Sequence, residues 1–106
     1  ETYGFQRRLN AISATVAASR AGDYRQYLFR WEVMGKGERQ YRFQLSRQED
    51  ASDPIVDEVG LTEQRFVITD LPPGTYYWRV KTLQFVDGEA HGKWSPIERL
   101  TISAAQ

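Results

Sequence analysis

Phe66-Val67-Ile68-Thr69-Asp70-Leu71-Pro72-Pro73-Gly74-Thr75-Tyr76-Tyr77-Trp78-Arg79-Val80 is the stretch on which the fold turns. Phe66 and Ile68 alternate with Val67 and Thr69, then Tyr76, Trp78 and Val80 alternate with Tyr77, Arg79 and Lys81. A period of two is the signature of a strand with one buried and one wet face. Between the two runs lies Asp70-Leu71-Pro72-Pro73-Gly74. Two prolines cannot donate to a ladder and glycine tolerates positive φ, so this is a tight corner between strands.

Upstream the same alternation recurs. Tyr27, Phe29, Trp31 and Val33 alternate with Leu28, Arg30 and Glu32, and Tyr41, Phe43 and Leu45 alternate with Arg42, Gln44 and Ser46. Met34-Gly35-Lys36-Gly37-Glu38 separates these two runs and reads as a turn. Arg47 to Pro54 is polar and reads as a loop. Ile55 to Val59 follows as a short edge strand that Gly60 ends. Downstream, Asp87 to Lys93 reads as a long polar hairpin loop, and Leu100 and Ile102 belong to a last strand. No helical pattern appears after residue 25. Evenly spaced short strands with turns between them predict an all-β sandwich or barrel. The predicted core is Phe29, Trp31, Tyr41, Phe43, Phe66, Ile68, Leu71, Tyr76, Trp78, Val80 and Leu100.

The first 25 residues admit two readings. Ile12, Ala14 and Val16 alternate with Ser13 and Thr15, as a first strand would, while the alanines of Arg7 to Arg20 also suit a short helix. The strand is preferred. Tyr3 and Phe5 alternate too, as an added edge strand or a remnant of a preceding domain. Arg20-Ala21-Gly22-Asp23 reads as a turn. The expected division is residues 1–25 as an N-terminal extension with the probable first strand, and residues 26–106 as the rest of one domain.

Composition bounds the function. A chain of 106 residues is one domain's worth, and 13% aromatics among 41% apolar residues can fill one core. Lys and Arg balance Asp and Glu at 14 each, so no overall field draws the chain to nucleic acid. Without cysteine there is no disulfide and no thiolate metal site. Apolar runs are too short for a helical membrane span. The sequence opens at Glu1 and reads as a processed or excised piece of something longer.

No residue forms a convincing catalytic or metal site, and no cofactor is expected. His91, the sole histidine, sits in the glycine-flanked Gly88-Glu89-Ala90-His91-Gly92, a poor platform for a general base that must be held within hydrogen-bond reach. Replacing it with alanine is expected to leave function unchanged. Glu49, Asp50, Asp53, Asp57 and Glu58 lack the loop spacing of a calcium site, and a solvated edge is the simpler reading. Met34-Gly35-Lys36-Gly37 precedes no helix and so is no phosphate loop. Two surfaces remain. One is a sheet face bearing Arg42, Gln44, Tyr77, Arg79, Lys81 and Arg99, which could stack a sugar or dock an acidic partner. As an ordinary wet face, its cations would pair with Glu98 or Glu32. The other is a loop end formed by Gly35 to Arg39 and Asp87 to Lys93.

The corner Phe66 to Val80 resembles the E–F corner of fibronectin type III domains, where a leucine, a Pro-Gly turn, a tyrosine and an alternating strand recur. Phe29-Arg30-Trp31 is similar to the strand-B tryptophan position, Tyr41 to Leu45 to strand C, and Gly92-Lys93-Trp94-Ser95-Pro96 to the start of strand G. The resemblance covers roughly residues 26 to 102 and implies a seven-stranded antiparallel β-sandwich with strands C, F and G side by side. One residue is missing from the usual corner spacing, so either Tyr76 or Tyr77 is the tyrosine-corner residue, and alternation favours Tyr76. Gly74 to Val80 with the later Trp94-Ser95-Pro96 most resembles bacterial modules that follow FecR-type domains in envelope proteins or propeller repeats in periplasmic sensor regions. That resemblance implies a non-enzymatic module in the periplasm or outside the cell. Its partner would be another protein or another domain of the same chain, with a carbohydrate or peptidoglycan ligand as the alternative.

Overall fold

The computed structural model describes residues 12–21, 24–33 and 38–103, which hold eight strands and no helix. In chain order they are β1 (Ile12–Ala21), β2 (Tyr24–Val33), β3 (Arg39–Ser46), β4 (Val56–Leu61), β5 (Arg65–Thr69), β6 (Gly74–Val86), β7 (Glu89–Trp94) and β8 (Glu98–Ile102). One sheet has the order β1-β2-β5. The other has the order β4-β3-β6-β7, with β8 also on β6. Every pairing is antiparallel. Ile12 to Ala21 is therefore strand rather than helix. Tyr3, Phe5, the 34–37 turn and Gly22-Asp23 lie outside the described residues, as do Gly35 to Gly37 of the expected loop end.

Three features depart from the sequence reading. Asp87 to Lys93 is not a long loop. Asp87 and Gly88 alone make the turn, both at positive φ (52° and 80°), and Val86 pairs with Glu89 directly beyond it. Two consecutive positive-φ residues match the right-handed twist of the flanking strands, and Asp-Gly meets that demand best. Gly60 does not end the edge strand. Tyr41 pairs with Leu61 and Phe43 with Glu58, so Arg42 faces both Val59 and Gly60, a bulge that Gly60 accommodates at φ 73°.

The third departure is the strand count, eight instead of seven. β3 occupies one side of β6, so β7 and β8 lie in line along the other. Lys81 pairs with Trp94 and Trp78 with Glu98. Two residues of β6 thus face three of the partner, Ser95, Pro96 and Ile97. Pro96 has no amide hydrogen to give. Ser95 fills the gap: its amide donates to the Val80 carbonyl at 2.8 Å, and its hydroxyl accepts from the Val80 amide at 2.9 Å. The last strand is interrupted, but the hydrogen bonding of β6 is not.

The core is aromatic and joins the sheets. Tyr27, Phe29 and Trp31 of β2, Tyr41, Phe43 and Leu45 of β3, Tyr76, Trp78 and Val80 of β6, and Ile102 of β8 are buried. Phe29 of the smaller sheet meets Phe43 and Trp78 of the larger edge to face, each at 5.0 Å between centroids. Phe66 closes on Phe43 from the smaller sheet at 5.0 Å as well. Edge-to-face geometry sets positive ring edges against negative faces. The two sheets therefore pack face to face in a sandwich-like arrangement. Phe66, Ile68, Leu71 and Leu100 are half-buried against this cluster. Tyr27, Leu45, Ile102 and Ala51 are buried beyond the predicted core set.

At the corner, Tyr76 is fully buried and its hydroxyl donates to the Pro72 carbonyl at 2.6 Å. A buried phenol needs such a partner. Arg47 lies over the same ring at 5.0 Å. Tyr77 points to the opposite face. Removing the hydroxyl by Tyr76→Phe is expected to lower stability by about 1 kcal/mol. Phe43→Ala, which opens a cavity between the sheets, is expected to cost about 3–5 kcal/mol. Urea unfolding of both variants measures the two values.

Candidate functional site

Alternation along β3, β6 and β8 carries one set of side chains to the outer face of the five-stranded sheet. Arg42 stands opposite Lys81, Gln44 opposite Arg79, and Tyr77 opposite Arg99. Opposed residues of an antiparallel pair share a face. All six residues named from sequence therefore lie on one surface. Two more join them. Trp94 of β7 pairs with Lys81, and Asp57 of β4 pairs with Gln44.

These groups are bound mostly to one another. The Arg42 guanidinium donates Nε and Nη2 to the two Asp57 carboxylate oxygens at 2.8 and 2.7 Å, a bidentate pair. Arg79 Nε donates to Gln44 Oε1 at 3.0 Å. The Arg79 guanidinium carbon lies 3.9 Å from the centre of the Trp94 ring, and Lys81 Nζ lies 5.6 Å from it. Gln44, on the wet side of the sheet, is nonetheless buried. Cations over an indole face gain roughly 0.5–1 kcal/mol each at such a site. Tyr77 stays half-exposed, and Arg99 is exposed beside it.

The acid partner differs from the expected one. Arg42 pairs not with Glu98 or Glu32 but with Asp57, from the stretch that reads as a solvated edge. Asp57 is held below the usual carboxylate range, chiefly by the hydrogen bonds from Arg42, with Gln44 contributing. The Arg42 guanidinium is raised by the same contact. Asp50 is also lowered, by the Ser52 hydroxyl and amide, and the amide lies at 3.0 Å. Neighbouring Ser46 is buried, donates its hydroxyl to the Ser52 carbonyl and accepts from the Gln48 amide at 2.9 Å. These contacts order the 47–54 loop.

His91 sits on β7 opposite Gln84, with Nε2 3.8 Å from Glu89 Oε1, and both side chains are largely exposed. Among the described residues, no three His, Asp or Glu side chains come together as a metal ion would require. Trp94 could have been placed on the face from sequence. The Asp87-Gly88 turn fixes the β6–β7 register, and that register sets Trp94 opposite Lys81. Asp57 could not, because its place depends on the β3–β4 register set across the long 47–55 loop. No family model matches the chain, and no curated protein matches it.

The Arg42–Asp57 pair gives a pH expectation. A carboxyl with a lowered folded pKa stabilises the fold fully above its unfolded value, about 3.9, and loses that contribution as pH falls through the lower folded value. Arg42→Met is therefore expected to lower the melting temperature slightly at pH 7, with the difference from the unaltered protein shrinking as pH falls below the unfolded value. Thermal melts of the two proteins across that pH range measure it.

Proposed function

We propose that this chain is a fibronectin type III-like module serving as a non-catalytic structural and interaction unit, a spacer or protein-binding domain, of a bacterial cell-envelope protein. The observation that carries the reading is the corner. A fully buried Tyr76 near the start of β6 reaches back to the Pro72 carbonyl, as the tyrosine of immunoglobulin-like corners does. The side-by-side order of β3, β6 and the interrupted β7–β8 strand supports it, because strands C, F and G adjoin in the same way in that class. Read in this way, the interruption at Ser95-Pro96 turns seven strands into eight. The periplasmic or extracellular placement rests on the resemblance of Gly74 to Val80 and Trp94-Ser95-Pro96 to envelope modules.

The outer face argues for the structural reading over a glycan site. A sugar ring needs an open aromatic platform and free donors. Here Trp94 is covered by Arg79 and Lys81, and Arg42 is committed to Asp57. Tyr77, with Arg99 beside it, and the exposed Phe85 farther along β6 are the rings left open on this face. The natural partner is another protein or a neighbouring domain that meets this face or a sheet edge.

Binding of the isolated protein to purified peptidoglycan sacculi and to a panel of soluble glycans tests the choice. The expected result is no specific retention, with Tyr77→Ala and His91→Ala behaving as the unaltered chain does. Retention that disappears in Tyr77→Ala would overturn the reading in favour of a carbohydrate-binding module.

A further inference from the structure

The edges of the two sheets are not alike. β4 is bulged at Val59-Gly60 and carries Asp57 and Glu58. β7 carries Glu89, His91 and Lys93 in six residues. β5 and β8 are five residues each, with Pro72-Pro73 after one and Pro96 before the other. Short length, bulges, charge and proline are the devices by which sheets keep foreign strands from adding. β1 is long, unbulged and nearly uncharged. Its ten residues pair with β2 in one unbroken register, from Ile12 opposite Val33 to Ala21 opposite Tyr24. Its one charge is Arg20, and it has no proline. Among the described residues no strand pairs with its outer edge.

Beside that edge runs a groove of about 280 Å³ and mixed polarity at the seam of the two sheets, lined by Val16, Ala18, Tyr27, Leu100 and Ile102 together with Arg25, Thr101 and Ser103. Ala14 and Val16 are half-buried and pack on the core, so the even-numbered residues of β1 face inward. A strand added here would satisfy the open backbone groups and extend the apolar layer over the groove mouth.

We propose that the outer edge of β1 pairs antiparallel with β1 of a second copy of this chain, joining two three-stranded sheets into one of six strands across a two-fold axis. The occupant is identified by self-complementarity. With both inner faces on the same side, opposed residues share a face, so even positions must meet even positions. Centred on Val16, that register sets Val16 against its own copy, Ala14 against Ala18, Thr15 against Ala17, Ser13 against Ser19, and Arg20 against Ile12. No like charges meet in this register. A joint of one strand pair is below the size of permanent interfaces, so the dimer is weak and concentration-dependent. The inference stands apart from the proposed function, because it is read from this chain's own edge.

Sedimentation equilibrium from about 10 µM to about 1 mM tests it, a range that captures weak association. Thr15 and Ala17 are exposed in the single chain, so changing them spares the core. In the proposed register they meet across the axis twice. Thr15→Lys with Ala17→Lys opposes like charges and is expected to weaken association about tenfold. Thr15→Lys with Ala17→Glu opposes unlike charges and should keep it. Melting temperatures check that both variants are folded. A chain that stays monomeric at the highest concentration, or variants that associate equally well, would overturn the proposal; the first outcome leaves the edge to a different strand.

Discussion

Phe43 holds the two layers together. Its ring is 5.0 Å from Phe29 and 5.0 Å from Phe66, both on the smaller sheet, and 5.8 Å from Trp78 beside it on the larger one. Trp31 stacks on it from a fourth side at 6.1 Å. Such a cluster exists only while β2, β3, β5 and β6 keep their registers. A slip of one residue in any of them would send an aromatic to water and a charged residue inward. The hydrophobic gain from burying these rings is the main term offsetting the backbone entropy of a small all-β chain. The wet face is fixed by the same constraint, because Arg42 and Gln44 alternate with Phe43.

Much of this was legible in the sequence because period-two patterning states which side a residue takes. Tyr76 inward and Tyr77 outward follows from Trp78 and Val80, and the Pro72 hydrogen bond is the consequence of burying a phenol. What patterning cannot state is register between distant strands. The pairing of Arg42 with Asp57 depends on the β3–β4 register across the long 47–55 loop, and the break at Ser95-Pro96 depends on one extra residue opposite Arg79-Val80. A bulge changes neither composition nor period, so it leaves little trace in a single sequence. The Asp87-Gly88 turn did leave one. The charged residues from Glu89 to Lys93 masked it, because an exposed edge strand has the polar composition of a loop.

The outer face shows why residue type alone misjudges a binding surface. Four cations and an aromatic within one sheet face look ready for a ligand. Placed in three dimensions, three of the cations first find a neighbour: Asp57 for Arg42, Gln44 and Trp94 for Arg79, Trp94 again for Lys81. A ligand would have to displace these contacts before making its own. The face acts more as a fixed lattice of side chains over β3 and β6 than as an open site.

The interruption between β7 and β8 bears on how such a unit would carry load. β8 grips β6 over only five residues, from Gly74 to Trp78, and Ser95 clasps Val80 through both its amide and its hydroxyl just beyond. Tension applied to the chain past Ile102 therefore falls first on this short segment. Ile102 and Leu100 of that segment also pack on the core, so pulling it from β6 opens the sandwich at this seam, while the serine clasp at Val80 and all of β7 lie beyond it.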